Sequence, residues 1–183
     1  GSTVIDATLG LGGHTRSMAE KIGPHGKLIA FEWDERNRKI AEKNLADFSN
    51  ITLVPKGFSS LLSECKKRGI TGADAVLFDL GISSAHLDDN SRGFSYRLSG
   101  PLDMRMDTEK EQTAADIVHS LSETELADII YQYGEERRSR QIAKQIIEER
   151  KKQRTQTTDH LFEIIESACP QNPKKSASRL FQA

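Results

Sequence analysis

Four short apolar runs punctuate the first half of the chain, and each is closed by a turn signal. They are Val4-Ile5, Leu28-Ile29-Ala30-Phe31, Ile51-Thr52-Leu53-Val54 and Ala75-Val76-Leu77-Phe78. Short unbroken apolar runs of this kind suit strands buried on both faces of a parallel sheet. The pattern predicts a strand opening at about Val4, with others over 27–32, 51–54 and 73–80. Amphipathic stretches separate them and predict helices over about 15–22 and 35–45, and a third through Leu61, Leu62 and Cys65 that ends near Gly69. In such an alternation the fourth strand lies beside the first, as in doubly wound sheets.

Beyond Thr113 the apolar period becomes helical. Ser122 to Glu125 spells a capping box, and Leu126, Ile129, Ile130 and Tyr133 then share one face. Gly134 breaks that helix. A second is predicted over about 135–152, with Ile142, Ala143, Ile146 and Ile147 inward. Thr158 is the expected cap of a third, through Leu161, Ile164, Ile165 and Ala168, which Pro170 and Pro173 end.

The first strand runs into Gly10-Leu11-Gly12-Gly13-His14, a strand–turn–helix of nucleotide-binding type. The dinucleotide fingerprint G-x-G-x-x-G is incomplete, because its third glycine position holds Thr15. A phosphate-cradling loop is also excluded, since no Gly-Lys-Ser/Thr is present. An acid on the strand, Asp6, followed by glycines without a cationic partner, suits a ligand with a cationic or zwitterionic end. S-adenosylmethionine is one such ligand. Taken alone, the turn serves equally well for simple strand–helix packing.

Position strengthens the ligand reading. Glu32 lies 20 residues past Gly12, where a ribose-binding carboxylate is expected. Asp34 competes for that role and is also a plausible helix cap. Phe58 follows the third strand and Asp79 the fourth. Asp6, Glu32, Phe58 and Asp79 thus all fall at or near strand carboxyl ends, where open α/β sheets bind ligands.

Net charge is −1, with 36% hydrophobic and 29% charged residues, so nucleic-acid contact requires a local patch. One candidate is the mixture of cations and rings in Arg92, Phe94, Tyr96, Arg97 and Arg105. Another is the segment 137–154, with eight Lys/Arg against two Asp/Glu, a local net of +6. By composition alone, a packed loop with solvated arginines accounts better for the first and a solvated helix face better for the second. Cys65 and Cys169 lack metal-ligand spacing, no metal site is expected, and two lone thiols fit a reducing cytoplasm. No apolar run is long enough for a membrane span.

Several strings together resemble the bacterial ribosomal RNA small-subunit methyltransferase H (MraW) family. They are Asp6-Ala7-Thr8-Leu9-Gly10-Leu11-Gly12-Gly13-His14, Asp79-Leu80-Gly81-Ile82-Ser83-Ser84, Leu87-Asp88-Asp89 and Arg92-Gly93-Phe94-Ser95. Further on come Gly100-Pro101-Leu102-Asp103-Met104-Arg105-Met106-Asp107, Tyr133-Gly134-Glu135-Glu136-Arg137 and Phe181-Gln182-Ala183. The resemblance implies a Rossmann-like class I methyltransferase fold, of α/β class, over residues 1–102. It implies an inserted all-helical domain over 103–175 and a return to the methyltransferase domain over 176–183.

It further implies methyl transfer from S-adenosylmethionine to the exocyclic N4 of a cytidine in the decoding region of small-subunit ribosomal RNA. The implied partner is that RNA or the small ribosomal subunit, with homodimerisation left open. Cofactor contacts carried over are Gly12, Gly13, His14, Glu32, Phe58, Asp79 and His86. Two positions depart from the family pattern, which has Asp at 32 and Pro-Gln at 85–86. Asp79 is the candidate acceptor of an amino proton, and Phe94 or Tyr96 the candidate holder of a splayed base. The alternatives are a cofactor-binding module without catalysis and a methyltransferase acting on another RNA site. Family members extend beyond both ends, so the chain is expected to be a fragment with a truncated sheet. The outer edge of the fourth strand is then expected to be unpaired, and residues 1–183 not to form a stable active monomer alone.

Overall fold

The computed structural model describes residues 1–108 and 110–183. They form two compact units, Gly1–Ser83 and Ser84–Ala183. The sequence expectation placed this division at residue 102.

The first unit is a mixed α/β layer structure. Strands β1 (Thr3–Asp6), β2 (Lys27–Phe31), β3 (Ile51–Val54) and β4 (Ala75–Leu77) make a wholly parallel sheet in the order β3-β2-β1-β4. Strand β4 pairs with β1 as expected, through Val4↔Ala75 to Asp6↔Leu77. Helices α1 (Gly13–Ile22), α2 (Glu35–Asn44) and α3 (Leu61–Lys67) connect the strands. Successive strand residues point to opposite faces, and the apolar residues divide accordingly. Leu28 and Ala30 of β2 join Leu9, Ala19, Ala41 and Leu45 on the face covered by α1 and α2. Ile29 and Phe31 join Ile5, Val54 and Cys65 on the face covered by α3. Covering both faces is what makes an unbroken apolar strand stable in a parallel sheet. This arrangement, with its short sheet, is that of a Rossmann-like α/β fold.

Strand β4 is shorter than its apolar run. Among the described residues no strand lies on its outer edge, and Val76, Phe78, Leu80 and Ile82 are exposed.

The second unit is helical: α4 (Ser84–Asp88), α5 (Ala114–Ser120), α6 (Glu123–Gln132), α7 (Ser139–Glu149), α8 (Thr158–Ala168) and α9 (Pro173–Gln182). Capping boxes start α5 at Thr113 and α6 at Ser122. Leu126, Ile130, Ile142, Ile146, Leu161 and Ile165 form its core. Four details differ from the sequence reading. Helix α7 starts later than residue 135, because Glu135 adopts a left-handed φ of 53° and Glu136 turns back to accept the Arg138 N–H at 2.9 Å. Thr158 is the first residue of α8 and not its cap. Its hydroxyl donates to the Leu98 carbonyl at 2.7 Å and so anchors the preceding loop. Pro173 does not end a helix but opens α9, since a missing N–H costs nothing in the first turn. Residues 176–183, expected to return to the first domain, lie within or just past α9, whose Ala177 and Phe181 sit in this helical core.

One buried carboxylate pins the segment leaving β3. Glu64 of α3 accepts from Lys56 at 2.8 Å, from Arg68, and from Lys67 at 3.0 Å. The Lys56 hydrogen bond, then those of Arg68 and Lys67, lower its pKa from 4.5 to about 2. A depressed carboxylate stabilises the fold fully above its unfolded pKa and loses that contribution as pH falls through the folded one. Glu64→Gln is therefore expected to lower the urea midpoint at neutral pH. The difference from the parent should narrow below about pH 4.5 and close by about pH 2.

Candidate cofactor site at the strand ends

Asp6 ends β1 fully buried, and hydrogen bonds inside the turn engage both its oxygens. One accepts the Thr15 hydroxyl at 2.6 Å and the other the Thr8 N–H at 3.1 Å. The expectation that Asp6 would face a cationic ligand is corrected on this point: the carboxylate shapes the glycine turn from beneath. Gly12, at the N-cap of α1, has φ 91°. A side chain there is disfavoured by that backbone and would also crowd Leu45, whose Cδ1 lies 3.1 Å from an ideal Cβ. At Gly13 an ideal Cβ meets nothing within 4 Å, so the backbone there lies open.

The same turn is tied to β4. The Ala7 N–H donates to the Leu77 carbonyl at 2.8 Å, and the Thr8 hydroxyl accepts the Asp79 N–H at 2.7 Å. These bonds bring His14 and Asp79 together, with Nδ1 3.6 Å from the carboxylate and both side chains nearly two-thirds exposed. Next to them in the sheet, Glu32 leaves β2 buried, one carboxylate oxygen accepting the Asp34 N–H at 2.9 Å and the other the Asn37 side-chain amide at 3.5 Å. Asp34 caps α2, its carboxylate accepting from the N–H groups of Arg36 and Asn37.

Phe58, 45% exposed, meets Phe78 edge to face at 5.9 Å. Trp33, 37% exposed just past β2, is a further aromatic at this end of the sheet that the sequence reading did not single out. An ideal Cβ at Gly57 would stand 2.9 Å from Trp33 Cε3, so glycine there lets the indole pack against the backbone that follows β3. The available signal was the chain's single tryptophan directly after Glu32. The carboxyl end of the sheet thus holds the exposed Asp79 carboxylate, the buried and hydrogen-bonded Glu32 carboxylate, one open glycine backbone and the exposed rings of Phe58, Phe78 and Trp33. Such a set can accept hydrogen bonds from hydroxyl or ammonium groups and cover a flat ring.

The remaining candidates lie in the second unit. His86, in α4, is 5% exposed and its ring lies 5.1 Å from that of Phe94. Arg92 and Phe94 are buried too, and the Arg92 guanidinium donates to the Arg105 carbonyl at 2.7 Å. Arg105 makes a two-pronged pair with Asp103, at 2.8 and 2.7 Å. The bond from Arg105 holds the Asp103 carboxyl below its usual range. Tyr96 stacks on Phe162 at 5.6 Å. Arg97 is exposed beside the Tyr96 ring. The loop 92–105 therefore uses most of its cations and rings to hold itself together. Among the described residues no cluster of three His, Cys, Asp or Glu side chains is placed to hold a metal ion. No helix there is long and apolar enough to cross a membrane.

A sequence profile of the MraW methylase family matches residues 1–183. The chain belongs to that family. Similar relatives include proteins named ribosomal RNA small subunit methyltransferase H. The chain is 42% identical to that of Desulfotalea psychrophila, covering 100% of this chain and 64% of the relative. The corresponding values are 43%, 100% and 60% for Brevibacillus brevis, and 44%, 98% and 59% for Caldicellulosiruptor bescii. The chain thus spans less than two thirds of the length of these family members.

The buried Asp6–Thr15 bond makes a direct prediction. Thr15→Val keeps the shape but leaves a buried carboxylate oxygen without its donor, so it should lower stability by about 1–3 kcal/mol. Urea unfolding that matches the parent would remove this bond from the account of the turn.

Proposed function

We propose that this chain supplies the cofactor-binding part and the helical part of an S-adenosylmethionine-dependent ribosomal RNA methyltransferase. The acceptor is the exocyclic N4 of a cytidine in the decoding region of small-subunit RNA. The names of the relatives support an RNA substrate in the small subunit. The observation that carries the chemistry is the convergence of Gly13, His14, Glu32, Phe58 and Asp79 at one end of the sheet.

These residues fit the cofactor. Glu32 offers a carboxylate for the ribose hydroxyls, one methylene longer than the family's usual aspartate. Phe58 and Trp33 offer aromatic faces for adenine. Gly13 and His14 offer a backbone open to close approach, Gly12 holds the turn in the left-handed conformation that exposes them, and the exposed Asp79 offers a carboxylate for a cationic group. His86 belongs to the family's cofactor set by position, and its burial in the second unit sets it apart from the others. When bound, S-adenosylmethionine supplies a methyl group already activated by the sulfonium.

The protein's part is chiefly alignment, because the N4 lone pair is delocalised into the cytosine ring and is a weak nucleophile. A carboxylate accepting one amino proton localises that lone pair. Asp79 is proposed for this task because its backbone is fixed by Thr8 while its carboxylate stays accessible. Arg97, the exposed cation of the 92–105 loop, is the proposed RNA contact there.

Glu32→Ala should weaken cofactor binding by about 1–3 kcal/mol in calorimetry, the scale for losing charge-assisted hydrogen bonds. Unchanged affinity would remove Glu32 from the site. Asp79→Asn separates the two roles of that residue. At saturating cofactor, methyl transfer should fall by about a hundredfold or more, the range for a missing proton acceptor. A raised cofactor Kd with an unchanged saturated rate would leave Asp79 with cofactor binding alone.

A further inference from the structure

Eight basic residues lie between positions 137 and 154, and the fold uses half of them internally. Arg150 donates to the carbonyls of Val118, His119 and Leu121 at the end of α5. Arg154 pairs with Asp116 at 2.6 Å, Lys152 with Glu149 at 2.9 Å, and Lys144 with Glu148 at 3.9 Å. Half of the long basic face suggested by the sequence is therefore already engaged within the fold. What remains gathers mainly where α6 passes into α7. Arg137 and Arg140 are exposed, and among the described residues their side chains take part in no ion pair or hydrogen bond. Among the described residues the Arg138 guanidinium reaches a neutral partner, Gln171, at 3.3 Å.

These three arginines, with Asp128, Tyr131, Ser139 and Gln141, line a surface hollow of about 420 Å³. Three guanidinium groups face one carboxylate, so the hollow is cationic. Tyr131 is 60% exposed. An exposed ring is a poor choice for a merely solvated helix face and a good platform for a nucleobase. Unpaired guanidinium groups beside it suit the phosphates on either side of a stacked base. An acidic peptide would use the arginines but leave the ring without a role.

The geometry points to this hollow as a docking site for single-stranded RNA, with Arg137 and Arg140 on the backbone phosphates and a base stacked on Tyr131. It rests on the reading that the chain acts on RNA, and adds to it a binding site on the helical unit.

The test uses the full-length protein and a short fluorescein-labelled single-stranded RNA, with anisotropy measured across a salt series. Arg137→Glu/Arg140→Glu should weaken binding more than tenfold. It should also flatten the log–log salt slope by about 1.4, at roughly 0.7 for each phosphate that is no longer neutralised. Tyr131→Ala should weaken binding without changing the slope, and Tyr131→Phe should restore it. Lys174→Glu/Lys175→Glu, an exposed pair on α9, should leave binding unchanged. An unaltered affinity and slope in the folded Arg137/Arg140 variant overturns the site. An equal loss with the α9 pair overturns it as well, as does equal displacement of RNA by polyglutamate. If the double reversal does not melt cooperatively, the single neutral variant Arg140→Gln decides by the same two readings. Cofactor calorimetry on the same variants keeps the outcomes apart. RNA binding indifferent to these changes, with methyl transfer intact, rejects the hollow alone. Arginine-dependent RNA binding without any cofactor binding rejects the methyltransferase reading alone.

Discussion

Asp6 carries an unusual constraint: a carboxylate with no exposed surface at the end of the central strand. Burying a charge without partners is very costly, so the chain must deliver donors to it. Thr15 and Thr8 do so, from the first turn of α1 and from the turn itself. Meeting that demand bends residues 7–13 into one shape, with Gly12 in a left-handed conformation that other residues resist. The same bend presents the Thr8 hydroxyl to the Asp79 backbone. One buried carboxylate thereby registers the turn, the first helix and the end of β4 against one another. The groups proposed to meet cofactor and substrate are held from behind by groups that meet neither.

The second unit repeats this economy in its loops. Arg92 is sunk into the 92–105 loop and holds the Arg105 carbonyl, while Arg105 grips Asp103. The Gly100 carbonyl accepts the Thr158 N–H, and Leu102 donates to the Gln156 carbonyl, which sews the loop to the start of α8. Glu136 of the Tyr133–Arg137 string, nearly buried, lies 3.5 Å from Arg179 of α9. The most distinctive strings of the sequence are, in this unit, mostly the fastenings of irregular backbone. Such backbone has no ladder of its own and must find partners for its polar groups elsewhere.

Charge follows a related logic. Surface ion pairs contribute little stability, yet they decide which cations remain available to a partner. Arg150 and Arg154 are held by the end of α5 and by Asp116, and the arginines at the start of α7 are not. A net count along the sequence weighs them all alike, and only the fold distinguishes them.

By itself the sequence determined the alternation of strands and helices, the pairing of β4 with β1, the capping box at Ser122 and the placement of Glu32, Phe58 and Asp79 at strand ends. The β4–β1 pairing follows from the strand order that an alternating β/α chain adopts in doubly wound sheets, and the rest from local periodicity and turn chemistry, which any short window carries. It also carried the family strings. It did not determine that Asp6 faces inward, that Trp33 seats on Gly57, that Arg92 and Phe94 are interior, or that Pro173 opens a helix. An aspartate, a tryptophan or an arginine reads the same in sequence whether its partner is water or a residue far along the chain. Only the tertiary structure decides, because burial and hydrogen-bond partners are properties of contacts between distant segments. Thr8 with Asp79, Gly57 with Trp33 and Arg150 with Leu121 are such contacts.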